Sequence, residues 1–165
     1  MKIFLIGFMG SGKSHWGRIW GKINGLEFFD LDELIEKKEN RSIKSIFEEQ
    51  GENYFRDKET EILKSFAGKE NYLVACGGGI PCFNNNMEWM NEHGTTIYLL
   101  AKAQNIYDRV LNETKERPLL TNIPAEDLFL SIQQKINERE HFYCQAKFIL
   151  PVNELNDNSL SILNL

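Results

Sequence analysis

The sequence lacks the features that mark nucleic-acid-binding, membrane and secreted proteins. Its net charge is −5 and its isoelectric point is near 5.3, so it has no basic excess for a phosphate backbone. No apolar run reaches the ~20 residues that a membrane helix needs, and no secretory signal is recognisable. Three cysteines without metal-site spacing predict free thiols in a reducing compartment. We therefore expect a cytoplasmic monomer with neither a nucleic-acid nor a membrane partner.

Predicted strands and helices alternate along the 165 residues. Short apolar runs predict strands at residues 2–6, 26–29, 72–76, 95–100 and 147–151. Apolar residues at helical spacing predict helices at residues 13–23, 32–38, 42–50, 52–66, 86–93, 103–112 and 125–143. Such alternation is typical of βαβ units, which build a parallel sheet with helices on both faces. We therefore predict one α/β domain over residues 1–165.

A phosphate-binding pattern directly follows the first predicted strand. Residues 7–14 read Gly-Phe-Met-Gly-Ser-Gly-Lys-Ser and match G-x4-G-K-[ST] in its strand–loop–helix context. The glycines let the backbone curl around phosphates, which then meet successive N–H groups and a helix N-terminus. The lysine charge reaches the β- and γ-phosphates, and the serine hydroxyl can ligate Mg²⁺. The pattern therefore predicts that residues 7–14 bind phosphates, with Mg²⁺ at Ser14.

This loop alone leaves GTPases, motor ATPases, nucleotide kinases and metabolite kinases open, besides a glycine-rich turn without a ligand. The sequence contains neither the Asn-Lys-x-Asp guanine reader nor the Asp-x-x-Gly switch of a GTPase. The third predicted strand ends in Gly77-Gly78-Gly79, where a larger ATPase would normally carry an acidic residue. Consecutive glycines at a strand end indicate close backbone approach to a second ligand.

Two carboxylates follow the second predicted strand, at Asp30 and Asp32. Ligands of parallel sheets collect at the carboxyl ends of the strands, so both side chains should face the same crevice as the phosphate loop. One carboxylate can hold Mg²⁺ through its water shell, and the other can accept a proton from a substrate hydroxyl. The alternative is structural: Asp32 caps a helix and Asp30 is a solvated strand end.

Taken in order, these and further motifs resemble those of the shikimate kinases, over about residues 2–149. The resemblance implies a P-loop kinase fold with sheet order 2-3-1-4-5. It also implies transfer of the ATP γ-phosphoryl group to the 3-hydroxyl of shikimate, a step of aromatic amino-acid biosynthesis that yields shikimate 3-phosphate and ADP. The motifs that carry it are Gly7–Ser14, Phe29-Asp30-Leu31-Asp32 with Glu36, Phe55-Arg56-x-x-Glu59, Gly77–Gly79, Arg117-Pro118-Leu119-Leu120 and Arg139-x3-Tyr143.

At the nucleotide end of the site, the resemblance implies that Lys13 and the backbone of Gly10, Ser11, Gly12, Lys13, Ser14 and His15 hold the ATP phosphates. It also implies that Ser14 binds Mg²⁺ and that Asp30 contacts the magnesium shell. By the same resemblance, Arg117 is expected to close over the phosphates from a lid at about residues 112–124. An arginine that arrives on such a polar, proline-bounded segment can neutralise charge on the γ-phosphoryl group and exclude water.

At the acceptor end, the resemblance implies that Asp32 binds the shikimate hydroxyls and orients or deprotonates the attacking one. It also implies that Arg56 and Arg139 bind the shikimate carboxylate and that Gly78 and Gly79 offer backbone donors. The substrate-binding helices are expected at about residues 32–60. Arginine suits this task because its planar fork matches a carboxylate with two hydrogen bonds.

Alternatives remain at this stage. Each arginine could instead lie on the surface, with Arg56 paired to Glu52 or Glu59 on an exposed helix face and Arg139 to Glu140. The acceptor could be gluconate or a nucleoside monophosphate, or the chain could be a non-catalytic nucleotide-binding module. Two arginines combined with a nearby aspartate favour a carboxylate that bears adjacent hydroxyls.

Overall fold

Five parallel strands form the centre of the fold. The computed structural model describes residues 1–112, 123–124 and 126–163. The strands are β1 (Lys2–Ile6), β2 (Glu27–Asp30), β3 (Tyr72–Ala75), β4 (Thr95–Leu100) and β5 (Phe148–Pro151). The helices are α1 (Lys13–Asn24), α2 (Leu31–Glu39), α3 (Ile43–Lys64), α4 (Asn86–His93), α5 (Ala103–Asn112) and α6 (Leu128–Tyr143). Short 3₁₀ turns lie at Ile80–Cys82 and Ser161–Leu163.

The strand order is β2-β3-β1-β4-β5, which confirms the predicted α/β fold and sheet order. β1 lies in the middle and pairs in parallel with β3 on one side and β4 on the other. The chain leaves β1 toward one half of the sheet and later returns to build the other half. The carboxyl end of β1 is therefore a topological switch point, where crevices form in open α/β sheets.

Alternate residues of β1 face opposite sides of the sheet, and all but Lys2 are fully buried. Phe4 and Ile6 belong to a core shared with α2, α3, α4 and α6. Ile3 and Leu5 pack on the other side with Trp20 of α1 and with the C-terminal segment. The two cores pack against both faces of β1 and so fix the position at which the following loop begins.

The structure agrees with the two helices predicted over 42–50 and 52–66. Helix α3 consists of two helical segments that meet at a kink at Gly51, where φ is 81° and ψ is 173°. Ser42 caps its start by accepting a hydrogen bond from the Ser45 N–H. Smaller shifts place β2 over residues 27–30 and begin α6 at Leu128. Within the described residues, no helix is long and apolar enough to cross a membrane.

The contact of α1 with β2 depends on Gly17. A Cβ atom at this position would lie 2.3 Å from Phe28 Cε2 and 3.1 Å from Leu73 Cδ2. We expect Gly17→Ala to lower the free energy of unfolding by about 1–3 kcal/mol, because overpacking outweighs the better helix propensity of alanine. Urea unfolding measures this, and Gly68→Ala, at an open position, is the control. Equal stability of the two variants would contradict the packing argument.

Candidate active site

A cavity of about 820 Å³ lies at the carboxyl ends of the central strands. It brings together residues that the sequence predicts for both ends of the site. These are Gly10, Gly12, Lys13, Ser14, His15, Asp30, Asp32, Arg56, Gly78, Gly79 and Arg139. Ser11 is fully buried and does not line the cavity. Arg117 and most of the predicted lid lie outside the residues that the structure describes.

The loop between β1 and α1 has the backbone that its glycines predict. Gly7, Gly10 and Gly12 have φ values of 139°, 73° and 94°, which residues other than glycine rarely adopt. The Lys13 ammonium donates hydrogen bonds to the Gly7 and Phe8 carbonyls at 2.9 Å. A positive charge therefore lies directly across the loop, next to the N-terminus of α1.

Asp30 joins this loop to the second strand. Its Oδ2 accepts a hydrogen bond from the Ser14 hydroxyl at 2.5 Å. Its Oδ1 accepts from the N–H of Asp32 at 3.1 Å, so Asp30 caps α2. The structural alternative in which Asp32 is the cap is therefore wrong. Asp32 is left at the start of α2 with its side chain lining the cavity.

Ser14 and Asp30 place two hard oxygen ligands side by side. Mg²⁺ prefers such ligands and usually binds through one or two of them together with waters and substrate phosphates. No cluster of three or more His, Cys, Asp or Glu side chains suited to a metal occurs within the described part of the chain. The donor set fits an ion that is shared with a nucleotide, and does not resemble a closed protein cage.

Asp32 and Glu59 approach each other beside Gly77. A Cβ atom on Gly77 would lie 2.8 Å from Asp32 Oδ1 and 2.9 Å from Glu59 Oε1. Glycine is therefore required at Gly77 for reasons of space, because two carboxylates occupy the volume next to its Cα. Two acidic side chains therefore lie side by side on one side of the cavity.

Arg56 is buried, with 4% of its surface exposed, so the alternative of an exposed helix residue is wrong. It does pair with both neighbouring glutamates. Nε and Nη2 donate to Glu52 Oε1 at 3.1 and 2.8 Å, and Nη1 donates to Glu59 Oε2 at 2.7 Å. The guanidinium packs on the backbone of Gly79, where a Cβ would lie 2.3 Å from Nη1. Its orientation is therefore fixed from three sides.

Arg139 reaches the same cavity from α6. Its Nη1 atom is buried, has no hydrogen-bond partner in the described part of the chain, and lies 3.6 Å from where a Gly78 Cβ would be. A buried N–H donor without a partner is unfavourable by about 1–3 kcal/mol, more for a charged group. Arg139 thus supplies a positively charged donor, close to Arg56 and Glu59, that an anionic ligand would satisfy.

The family model for shikimate kinase matches residues 9–162. A shikimate kinase from Phocaeicola vulgatus is 38% identical over 156 residues, which cover 94% of this chain and 89% of that protein. The chain belongs to the shikimate kinase family. This confirms the family and the kinase class that the sequence predicts.

Solved structures of shikimate kinases agree with this fold along nearly the whole chain. The crystal structure of the enzyme from Bacteroides thetaiotaomicron has a TM-score of 0.93 at 33% identity and covers 100% of this chain and 99% of its own. The Acinetobacter baumannii enzyme in complex with shikimate has a TM-score of 0.88 at 31% identity, with coverages of 99% and 90%.

Arg109 and Trp16 are among the cavity residues that the sequence did not indicate in this shikimate kinase family member. Arg109 of α5 donates a hydrogen bond to the Gly10 carbonyl at 2.6 Å. Trp16 lines the cavity beside Gly12, although its spacing in α1 predicts packing alone. A lone arginine at the end of an amphipathic helix carries no signal that distinguishes it from a surface residue, and Trp16 does also stack on Trp20.

The buried carboxyl of Glu59 should make stability depend on pH. Burial raises its pKa from 4.5 to about 7, against the attraction of Arg56. The pKa of Glu59 is higher in the folded protein than in the unfolded chain. Its contribution to stability is therefore greatest below about pH 4.5 and falls as pH rises toward 7. The fall is on the order of 3 kcal/mol at 1.4 kcal/mol per pKa unit.

We expect Glu59→Gln to remove this group's contribution to the loss of stability between pH 5 and pH 8, since the amide does not ionise. Urea unfolding at the two pH values measures it. Glu88→Gln, at an exposed position on α4, should keep the wild-type fall. A Glu59→Gln profile that runs parallel to the wild type would show that this carboxyl does not titrate in the range.

Proposed function

We propose that this protein transfers the γ-phosphoryl group of Mg²⁺-bound ATP to the 3-hydroxyl of shikimate, with shikimate 3-phosphate and ADP as products. The observation that carries the proposal is the joining of two half-sites in one cavity. A phosphate loop lies at one end, and two arginines lie with Asp32 at the other. Membership of the shikimate kinase family supports the choice of acceptor, as does the similar fold of the Acinetobacter baumannii shikimate complex.

At the nucleotide end, the backbone N–H groups of the loop would bind the phosphates. Lys13 would leave the Gly7 and Phe8 carbonyls and contact the β- and γ-phosphates, which the flexible four-carbon stem of a lysine allows. Mg²⁺ would be held by Ser14 and, through water, by Asp30. The metal supplies charge neutralisation between the phosphates, and the two side chains fix where it lies.

At the acceptor end, Arg56 and Arg139 would bind the carboxylate of shikimate. The guanidinium of Arg139 has a buried donor to offer, and Arg56 is held in place by Glu52 and Glu59. Asp32 would accept hydrogen bonds from the ring hydroxyls and take the proton of the attacking one. Aligning that hydroxyl with the γ-phosphorus accounts for most of the catalysis, because phosphoryl transfer requires little covalent help from the protein.

Several finer points stay predictions from the sequence. They are a lid at about residues 112–124 with Arg117 over the phosphates, acceptor-binding helices within a single domain, a monomeric state and a cytoplasmic location. A lid would matter for this reaction because water can replace the acceptor and hydrolyse ATP when the cavity stays open.

The acceptor is tested by measuring ADP release from Mg-ATP in the presence of shikimate, gluconate or AMP, each alone. We expect shikimate to stimulate release at least 100-fold over the rate without acceptor, and gluconate and AMP to give little stimulation. AMP has no carboxylate for the two arginines, and gluconate carries its carboxylate and hydroxyls on a flexible open chain, which must lose more conformational entropy on binding than a ring. Stimulation by gluconate or AMP with none by shikimate would overturn the acceptor while leaving the phosphate loop assignment intact.

The role of Asp32 is tested by Asp32→Asn. The amide keeps the size of the side chain but cannot take a proton, so we expect kcat to fall by roughly 10²–10⁴. The KM for ATP should change little, since Asp32 lies at the other end of the cavity. Asp57→Asn, at an exposed position of α3 outside the cavity, is the matched control. Turnover of Asp32→Asn close to that of the control would refute the role.

A further inference from the structure

Tyr143 is the last residue of α6 and is completely buried. Its hydroxyl donates a hydrogen bond of 2.6 Å to the carbonyl of Gly78, 65 residues earlier in the chain. Burial raises the pKa of this phenol well above its usual value, so the group stays protonated and remains a donor. The contact therefore joins the end of α6 to residues 77–79, the glycine loop that follows β3.

The carbonyl that Tyr143 holds belongs to the peptide between Gly78 and Gly79. A trans peptide is planar, with its C=O and N–H on opposite sides. Fixing the Gly78 carbonyl toward Tyr143 therefore points the Gly79 N–H the other way. Within the described residues, the N–H groups of Gly78 and Gly79 make no hydrogen bond. Glycines are the residues whose backbone rotates most freely, so this orientation needs an external restraint.

Arg139 lies one helical turn before Tyr143 on the same face of α6. Its guanidinium also contacts the glycine loop, with Nη1 3.6 Å from the position of a Gly78 Cβ. Helix α6 thus meets the loop twice, once through a charged group that lines the cavity and once through a buried hydroxyl behind it. Only the second contact is a hydrogen bond with a defined direction.

We propose that Tyr143 is a positioning residue for the acceptor. Its hydrogen bond to Gly78 fixes the position of the glycine-loop N–H groups relative to the Arg139 guanidinium. This inference rests on the proposed function, because the acceptor is the ligand that would meet both groups. Tyr143 itself does not line the cavity and acts through the backbone of Gly78 and through α6.

Tyr98 provides a matched comparison within the same core. Its ring lies 5.0 Å from that of Tyr143, centroid to centroid, and only 2% of the residue is exposed. Its hydroxyl makes no hydrogen bond to another described residue. Replacing either tyrosine with phenylalanine removes one oxygen from the same packed region, but only Tyr143→Phe releases the glycine loop.

The test compares Tyr143→Phe with Tyr98→Phe by steady-state kinetics and thermal unfolding. For Tyr143→Phe we expect the KM for shikimate to rise on the order of tenfold, as for one lost hydrogen bond. Its kcat and its KM for ATP should stay within about twofold of the wild type. Tyr98→Phe should leave all three parameters unchanged. A role in packing alone would instead lower the melting temperature of both variants without separating the two KM values.

A double-mutant cycle adds a second measurement. Arg139→Lys alone should raise the KM for shikimate. In the double variant with Tyr143→Phe, the combined increase in this KM should be smaller than the product of the two single increases, because both residues act on the same group of carboxylate donors. An unchanged shikimate KM in Tyr143→Phe, equal rises in both KM values, or fully multiplicative increases would each overturn the positioning role. Absence of shikimate-dependent ADP release in the wild type would instead overturn the proposed function, and this inference with it.

Discussion

A buried guanidinium determines the form of the acceptor half of this site. Arg56 stays charged when it is buried, so its burial without partners would strongly destabilise the fold. Glu52 and Glu59 provide them at helical spacing, and Gly79 leaves room for the planar group. Held in this way, Arg56 restricts where the backbone of Gly79 and the Glu59 carboxyl can lie.

The nucleotide half is built by a different principle. Its proposed residues are contiguous in the chain, and the backbone itself would bind the phosphates, so positive φ values at three glycines and the N-terminus of α1 produce most of the site locally. Burial of β1 between two cores gives the loop a rigid base. Asp30 then links the halves, because one carboxylate accepts a hydrogen bond from Ser14 and caps the helix that carries Asp32.

This difference explains how much could be predicted from the sequence. The backbone of the loop at residues 7–14 was predictable, since its pattern is local and Gly7, Gly10 and Gly12 have the positive φ values that favour glycine. The pairing of Arg56 with its glutamates was predictable as an alternative, but its burial was not, because burial comes from Gly79 and Phe83 in a distant segment. The contact of Arg109 with Gly10 joins residues 99 apart, and no local pattern indicates it.

The groups of the acceptor half are far apart in the sequence, which explains why hydrogen bonds between its elements are needed. Its groups come from α2, α3, the glycine loop and α6, and each element could shift slightly without losing its own hydrogen bonds. Misplacement of a reacting group by about 1 Å is enough to reduce catalysis about a hundredfold. Directional contacts between elements, such as the phenol of Tyr143 on the Gly78 carbonyl, limit such shifts where apolar packing alone would permit them. The precision of the acceptor half therefore depends on buried polar contacts behind the cavity as much as on the residues that line it.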